Sequence, residues 1–263
     1  MTTSTLRPPG QLDPASIPDD DLSDADEVTN RGSISQRGAA RTAGIGYVLL
    51  FGLAIFANFF VRDGLVVAGD ATRTAVNIAE SNTLFRLGLV AFLAIFLIDI
   101  VVAWAIHIVF RGTHHDLSLV AAWSRLVYTV FLGVAAIFFF QALALYDTTA
   151  VSDAIGVAER NAQALVGLEL FNATWLIGLA AFGLHLIVLG FLVARSAETP
   201  RWLGPSMIIA GIAYLVDTTA YTVLADYAEH ADTLLVMVSV PSVVAEGWFG
   251  IWLLTRAHRA TTS

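Results

Sequence analysis

Hydrophobic and polar positions separate on the scale of whole segments. Six long apolar runs, at about 42–61, 84–110, 118–146, 162–194, 202–225 and 233–255, are divided by short polar breaks. Each run is near or above the roughly 20 residues that a membrane-spanning helix requires. The breaks carry charged and turn-forming residues: Arg62-Asp63-Gly64, Arg111 through Asp116, Asp147-Thr148-Thr149, Ala197 through Pro200, and Asp226 through Glu229. The third and fourth runs exceed the bilayer thickness, so their ends project or tilt. Between the first two runs, Asp70 is placed to cap a short interfacial helix reaching about Glu80. The pattern predicts an all-α integral membrane bundle of six transmembrane helices.

Ahead of the first run, residues 1–40 are rich in Pro, Ser, Asp and Gly and hold no apolar stretch. This composition predicts a disordered acidic tail, followed by a membrane domain over 41–256 and a short tail over 257–263. A signal peptide is not expected, since the first apolar run starts only after about forty residues. The balance of basic residues orients the bundle. Arg31, Arg37, Arg41, Arg111, Arg195, Arg201, Arg256 and Arg259 fall on one side, and Arg62, Arg73 and Arg160, amid acidic residues, on the other. The arginine-rich side is expected to be cytoplasmic. Both termini are therefore expected in the cytoplasm (N-in, C-in), with the chain in the cell membrane.

Composition sharpens the class. Of 263 residues, 57% are hydrophobic and 14% charged, against about 25% charged in soluble domains. Cysteine is absent, which excludes disulfides, thiolate nucleophiles and cysteine-held metals. All 14 basic residues are arginine, so no lysine is present for Schiff-base chemistry.

A few ionisable residues lie inside the runs, where a charge costs about 2.5–3.5 kcal/mol on insertion scales. At about 1.5 Å per residue, Asp99 lies roughly 18 Å from the cytoplasmic end, and His185 and Glu246 roughly 15 Å. Arg125 lies about 10 Å in and Asp217 about 24 Å. These five come from five different helices and form the candidate ligand, proton or ion site. Three carboxylates face one permanent cation, so charge balance needs a proton on a carboxylate or on His185, or a bound cation. Tyr214, Asp217 and Tyr221 share one helix face, as do Ser239, Ser242 and Glu246, with Pro241 loosening the helix between them. Tyr128, three residues after Arg125, adds another hydroxyl. Near the opposite end, Arg86 and Glu169 fall at one depth and are expected to form a structural pair. His107, near the cytoplasmic boundary, is placed to snorkel toward the headgroups.

Other features are bland. His114-His115-Asp116 reads as a solvated loop, His107 and His185 lack HxxxH spacing, and no phosphate-binding, GxSxG or nucleic-acid signature is present. No metal site and no cofactor is expected. Gly44, Gly46 and Gly52 suggest close helix packing. Buried polar residues also serve as interhelical glue worth around 0.6–2 kcal/mol each, so a purely structural network competes with a site.

The segments Arg41-Thr42-Ala43-Gly44 to Tyr47, Phe60-Val61-Arg62, Gly69-Asp70-Ala71 and Leu84-Phe85-Arg86-Leu87-Gly88 occur in order. Gly183-Leu184-His185-Leu186, Leu189-Gly190, Pro200, Leu203-Gly204 and Tyr214-Leu215-Val216-Asp217 follow. Over about 41–256 the chain resembles the prokaryotic membrane family known as domain of unknown function 4386. The resemblance implies a six-helix membrane architecture and no established activity.

Three functions stay open. The first is a small transporter, or proton- or cation-coupled carrier, with a polar midplane site. The second is a non-enzymatic sensor, scaffold or accessory bundle with a membrane protein partner. The third, ranked last, is an intramembrane enzyme using His185 with a carboxylate. Expected partners are the lipid bilayer, with a small solute, proton or cation, or another membrane protein, and no nucleic acid.

Overall fold

The computed structural model describes residues 34–147 and 154–259, with side chains as far as Arg256. The expected tail lies outside the described residues up to residue 33. Helix begins at Gln36, a few residues before the apolar run, and the last helix continues to Arg259.

Six helices are long and apolar enough to cross a membrane: α1 Gln36–Leu65, α3 Asn82–Phe110, α4 His115–Tyr146, α5 Val157–Arg195, α6 Leu203–Val223 and α7, which spans Tyr227–Arg256. All six expected runs are thus helical, and five of the helices extend past their apolar runs at one end or both, because flanking polar residues add turns without needing burial; α6 is the exception, stopping just inside its run. The remaining helix, α2, covers Ala71–Glu80. As expected, Asp70 caps it, its carboxylate accepting the Arg73 amide at 2.8 Å. Thr74 and Asn77 of α2 then bond the Val67 and Leu65 backbone, tying the short helix to the end of α1.

Each spanning helix packs on the next in the chain, and α7 closes back on α1. The result is an up-and-down ring of six helices. Its exterior is apolar: Val48, Leu97, Ile137, Ile177, Ile209 and Ile251 are all exposed. An apolar surface that encircles the molecule suits hydrocarbon and not water.

The tightest seam is between α5 and α6. Gly183 and Gly190 on α5 meet Gly211 and Gly204 on α6, so that a Cβ on any of the four would fall within 2.5–2.7 Å of the facing glycine's carbonyl oxygen. The seven-residue spacing on both helices keeps the two pairs on one line, and the backbones touch directly. Membrane helices associate through this kind of close approach, since lipid tails supply no hydrophobic drive between them. Two aromatic clusters fill the ring. Phe85, Phe92, Phe139 and Phe171 pack together toward the end opposite the arginines. Phe110, Phe249 and Trp252 pack toward the arginine-rich end.

Candidate functional site

Between the aromatic clusters lies a polar layer at mid-height. Every spanning helix contributes to it: Tyr47 from α1, Asp99 from α3, Arg125 from α4, His185 from α5, Tyr214 from α6 and Glu246 from α7. Asp99, Arg125 and His185 are 1%, 2% and 0% exposed. They stay in the core because each hydrogen-bonds the next.

Arg125 organises the layer. Its Nε donates to Asp99 Oδ1 at 2.8 Å, and its Nη2 lies 2.5 Å from the same oxygen. Its Nη1 donates to Tyr47 Oη at 2.9 Å and to His185 Nε2 at 3.3 Å. The Tyr47 and Phe182 rings flank the guanidinium with centroids 4.9 and 5.2 Å away, a favourable cation–π arrangement. A guanidinium only donates, so His185 Nε2 accepts. The other ring nitrogen, Nδ1, lies 2.8 Å from the Ala121 carbonyl and must donate. This pattern describes a neutral imidazole with both nitrogens engaged. It leaves His185 without a free nitrogen for acid–base chemistry.

Glu246 stands differently. It lies within electrostatic reach of Arg125, Asp99, Tyr47 and Tyr214. It makes no hydrogen bond or ion pair with the described residues, and it is only half-buried. One turn earlier, Ser242 is 5% exposed, and its hydroxyl faces that of Tyr214. Tyr214 lies beside both and stacks edge-on against Phe182, centroids 5.4 Å apart. Pro241, inside α7, removes the amide that would bond the Met237 carbonyl. Ser239 is half-buried nearby.

The remaining sequence candidates are elsewhere. Asp217 does not join the layer: it accepts from Tyr227 Oη at 2.9 Å, closing the turn between α6 and α7. Tyr221 packs on Tyr227 there, centroids 5.0 Å apart. Arg86 pairs with Asp147 at 2.6 Å and with Asn82, and Glu169 is exposed. The expected Arg86–Glu169 pair is therefore not formed. Asp147, at the end of α4, takes the Arg86 guanidinium instead. His107 bonds Ser118 Oγ at 2.9 Å and does not reach outward. His114 caps α4 through the Leu117 amide.

Two features escaped the sequence reading. Tyr47 is central, and its signal was a lone tyrosine in the first apolar run, about 9 Å beyond Arg41 at the helical rise per residue. The second is a polar chain running from the end of α1 toward the layer. Arg62 donates to Asn172 Oδ1 at 3.0 Å and lies over the Trp175 ring at 5.3 Å. Trp175 Nε1 donates to Tyr128 Oη at 3.3 Å. Arg62 ends a π-helical stretch, Phe56–Arg62, a conformation frequent at functional sites.

Six apolar helices closed around a polar layer define a multi-pass helical membrane protein. Within that class, residues 42–257 match the family described as Domain of unknown function (DUF4386), and the chain belongs to that family. A relative from Archaeoglobus fulgidus, described as an uncharacterized protein, is 26% identical over 171 residues, covering 65% of this chain and 84% of its own. No solved structure matches the chain.

Proposed function

We propose that the protein is a small carrier of the cell membrane, with both termini cytoplasmic, coupled to a proton or cation at the central polar layer. One observation carries the reading. Arg125 is committed to Asp99, and Glu246 in the same layer makes no ion pair or hydrogen bond with the described residues. A carboxylate at that depth needs a proton, a cation or water, and exchange of such a partner is what a coupled carrier performs. Asp99, Arg125, Tyr47 and His185 then form the fixed side of the site, and Glu246 the exchanging side.

The accessory-bundle reading has its own support: Arg125 is so fully engaged that its cluster works as a pin between four helices. The two readings part in reconstituted vesicles. With proton- and sodium-sensitive dyes inside, the carrier reading expects flux that Glu246→Gln removes and Asp217→Asn, outside the layer, retains. If folded Asp99→Asn, Asp217→Asn and Glu246→Gln variants all leave every flux and binding signal unchanged, the carrier reading fails.

A further inference from the structure

We propose that Trp175 is a gate on the path from the arginine-poor end of the ring to the polar layer, clasped shut by Arg62 of α1 and Tyr128 of α4. This rests on the carrier reading of that layer, since a carrier must open its site toward one end of the bundle at a time. Arg62 donates to Asn172 Oδ1 at 3.0 Å and lies over the Trp175 ring at 5.3 Å. The indole N–H donates to Tyr128 Oη at 3.3 Å, and the Tyr128 ring packs on Phe182, centroids 4.9 Å apart. Phe182 in turn flanks the Arg125 guanidinium. A row of side chains thus joins the rim to the centre of the layer, and the indole lies across it.

The aromatic cluster beside this row is fixed. Phe85, Phe92, Phe139 and Phe171 are buried and interlock ring on ring. Trp175 stands at the edge of that cluster, 6.3 Å from Phe171, and is only half-buried. Its bond to Tyr128 is longer than the roughly 2.7–3.2 Å of well-formed N–H···O bonds, so little is lost when it breaks. An indole only donates, and the row therefore cannot relay a proton from the rim to Tyr128. Water must take the place of the indole for the layer to exchange anything with this end.

Arg62 supplies the latch. Its side chain is 23% exposed, at the rim, and it ends the π-helical stretch Phe56–Arg62. Such stretches are rare and frequent at functional sites. Return to α-helical winding would turn Arg62 by about 100° around the helix axis, the step of one residue, and carry it off the indole. Phe59 and Phe60 of the same stretch are exposed on the apolar exterior, where lipid accommodates their movement.

The test uses the full chain purified in detergent. Because the sequence has no cysteine, Ser242→Cys places a single, nearly isosteric thiol in the buried layer. Its rate of modification by a small, positively charged methanethiosulfonate reads how often the layer meets water. An open state that is the minor one leaves room for a rise, so adding Trp175→Ala should speed modification about tenfold and Arg62→Gln about threefold. Phe85→Ala, a truncation of similar kind in the fixed cluster, and Arg256→Gln, at the other end of the ring, should leave the rate within about twofold. If Trp175→Ala does not fold, Arg62→Gln at the rim supplies the readout. An unchanged rate in folded Trp175→Ala or Arg62→Gln, or an equal rise in Phe85→Ala, overturns the gate. Faster modification without vesicle flux in the native chain sinks the carrier reading and keeps the gate. Flux with unchanged modification does the reverse.

Discussion

At the residue scale, the decisive feature is how one arginine is held in an apolar core. Arg125 meets a carboxylate, a phenol, an imidazole and two aromatic faces. Removing one partner from such a pair leaves the other charged and unpaired, at a cost of about 3–5 kcal/mol. Arg125→Ala and Asp99→Ala are each expected to destabilise the detergent-solubilised protein by about that much. The double variant should lose clearly less than the sum, because the second substitution removes the stranded charge. Thermal melts of the three variants check this. Additivity within about 0.5 kcal/mol would show that the two side chains do not depend on each other.

At the element scale, the α5–α6 seam governs how the second half of the ring is held. Ala at position 211 would place its Cβ against the Gly183 carbonyl oxygen, so the two backbones must part. Gly211→Ala is expected to cost about 1–3 kcal/mol, the range for overpacking. Gly52→Ala meets nothing within 4 Å and should gain about 0.5–1 kcal/mol from reduced backbone entropy loss. Comparing the two by thermal unfolding separates packing from helix propensity. Equal effects would mean that the seam tolerates a methyl group. The other early glycines divide in the same way: Gly44 and Gly46 press against Leu254 and Val102, and Gly52 faces open space. Spacing alone does not distinguish them.

At the scale of the whole molecule, ring closure brings the first and last helices together, and with them Tyr47 and Glu246. Asp226 and Glu229 fall at the end of the ring opposite Arg37, Arg41, Arg111, Arg195, Arg201 and Arg256. The proposed orientation, which follows the positive-inside rule, has the arginine-rich end in the cytoplasm. A reporter active only in the cytoplasm should therefore work when fused after Arg259. One active only outside should work when inserted between Asp226 and Glu229. The reverse pattern would invert the assignment.

How much of this was legible beforehand depends on which coordinate is asked about. Position along a helix follows from a constant rise per residue, so Asp99, His185 and Glu246 come out at nearly one depth, with Arg125 nearer the arginine-rich end and Asp217 farther from it. Direction around the ring does not follow from counting. For that reason Arg86 was matched with Glu169 when Asp147 is its partner, and Asp217 was grouped with residues it does not meet. Tyr128, Tyr214 and Tyr221 are marked by Arg125 and Asp217 on their own helices, whereas the run 42–61 holds no other ionisable residue to mark Tyr47.

Six apolar runs determined six helices and a membrane setting, because a backbone in hydrocarbon must satisfy its own hydrogen bonds and the runs had spanning length. The surplus of carboxylates over permanent cations was likewise a property of the sequence. Only the tertiary structure decided which carboxylate takes the arginine, since that depends on how each helix is rotated in the ring. Rotation is set by packing, at contacts such as Gly183 against Gly211, where shape and not polarity chooses the neighbour. It gives Arg125 to Asp99 and leaves Glu246 beside Ser242.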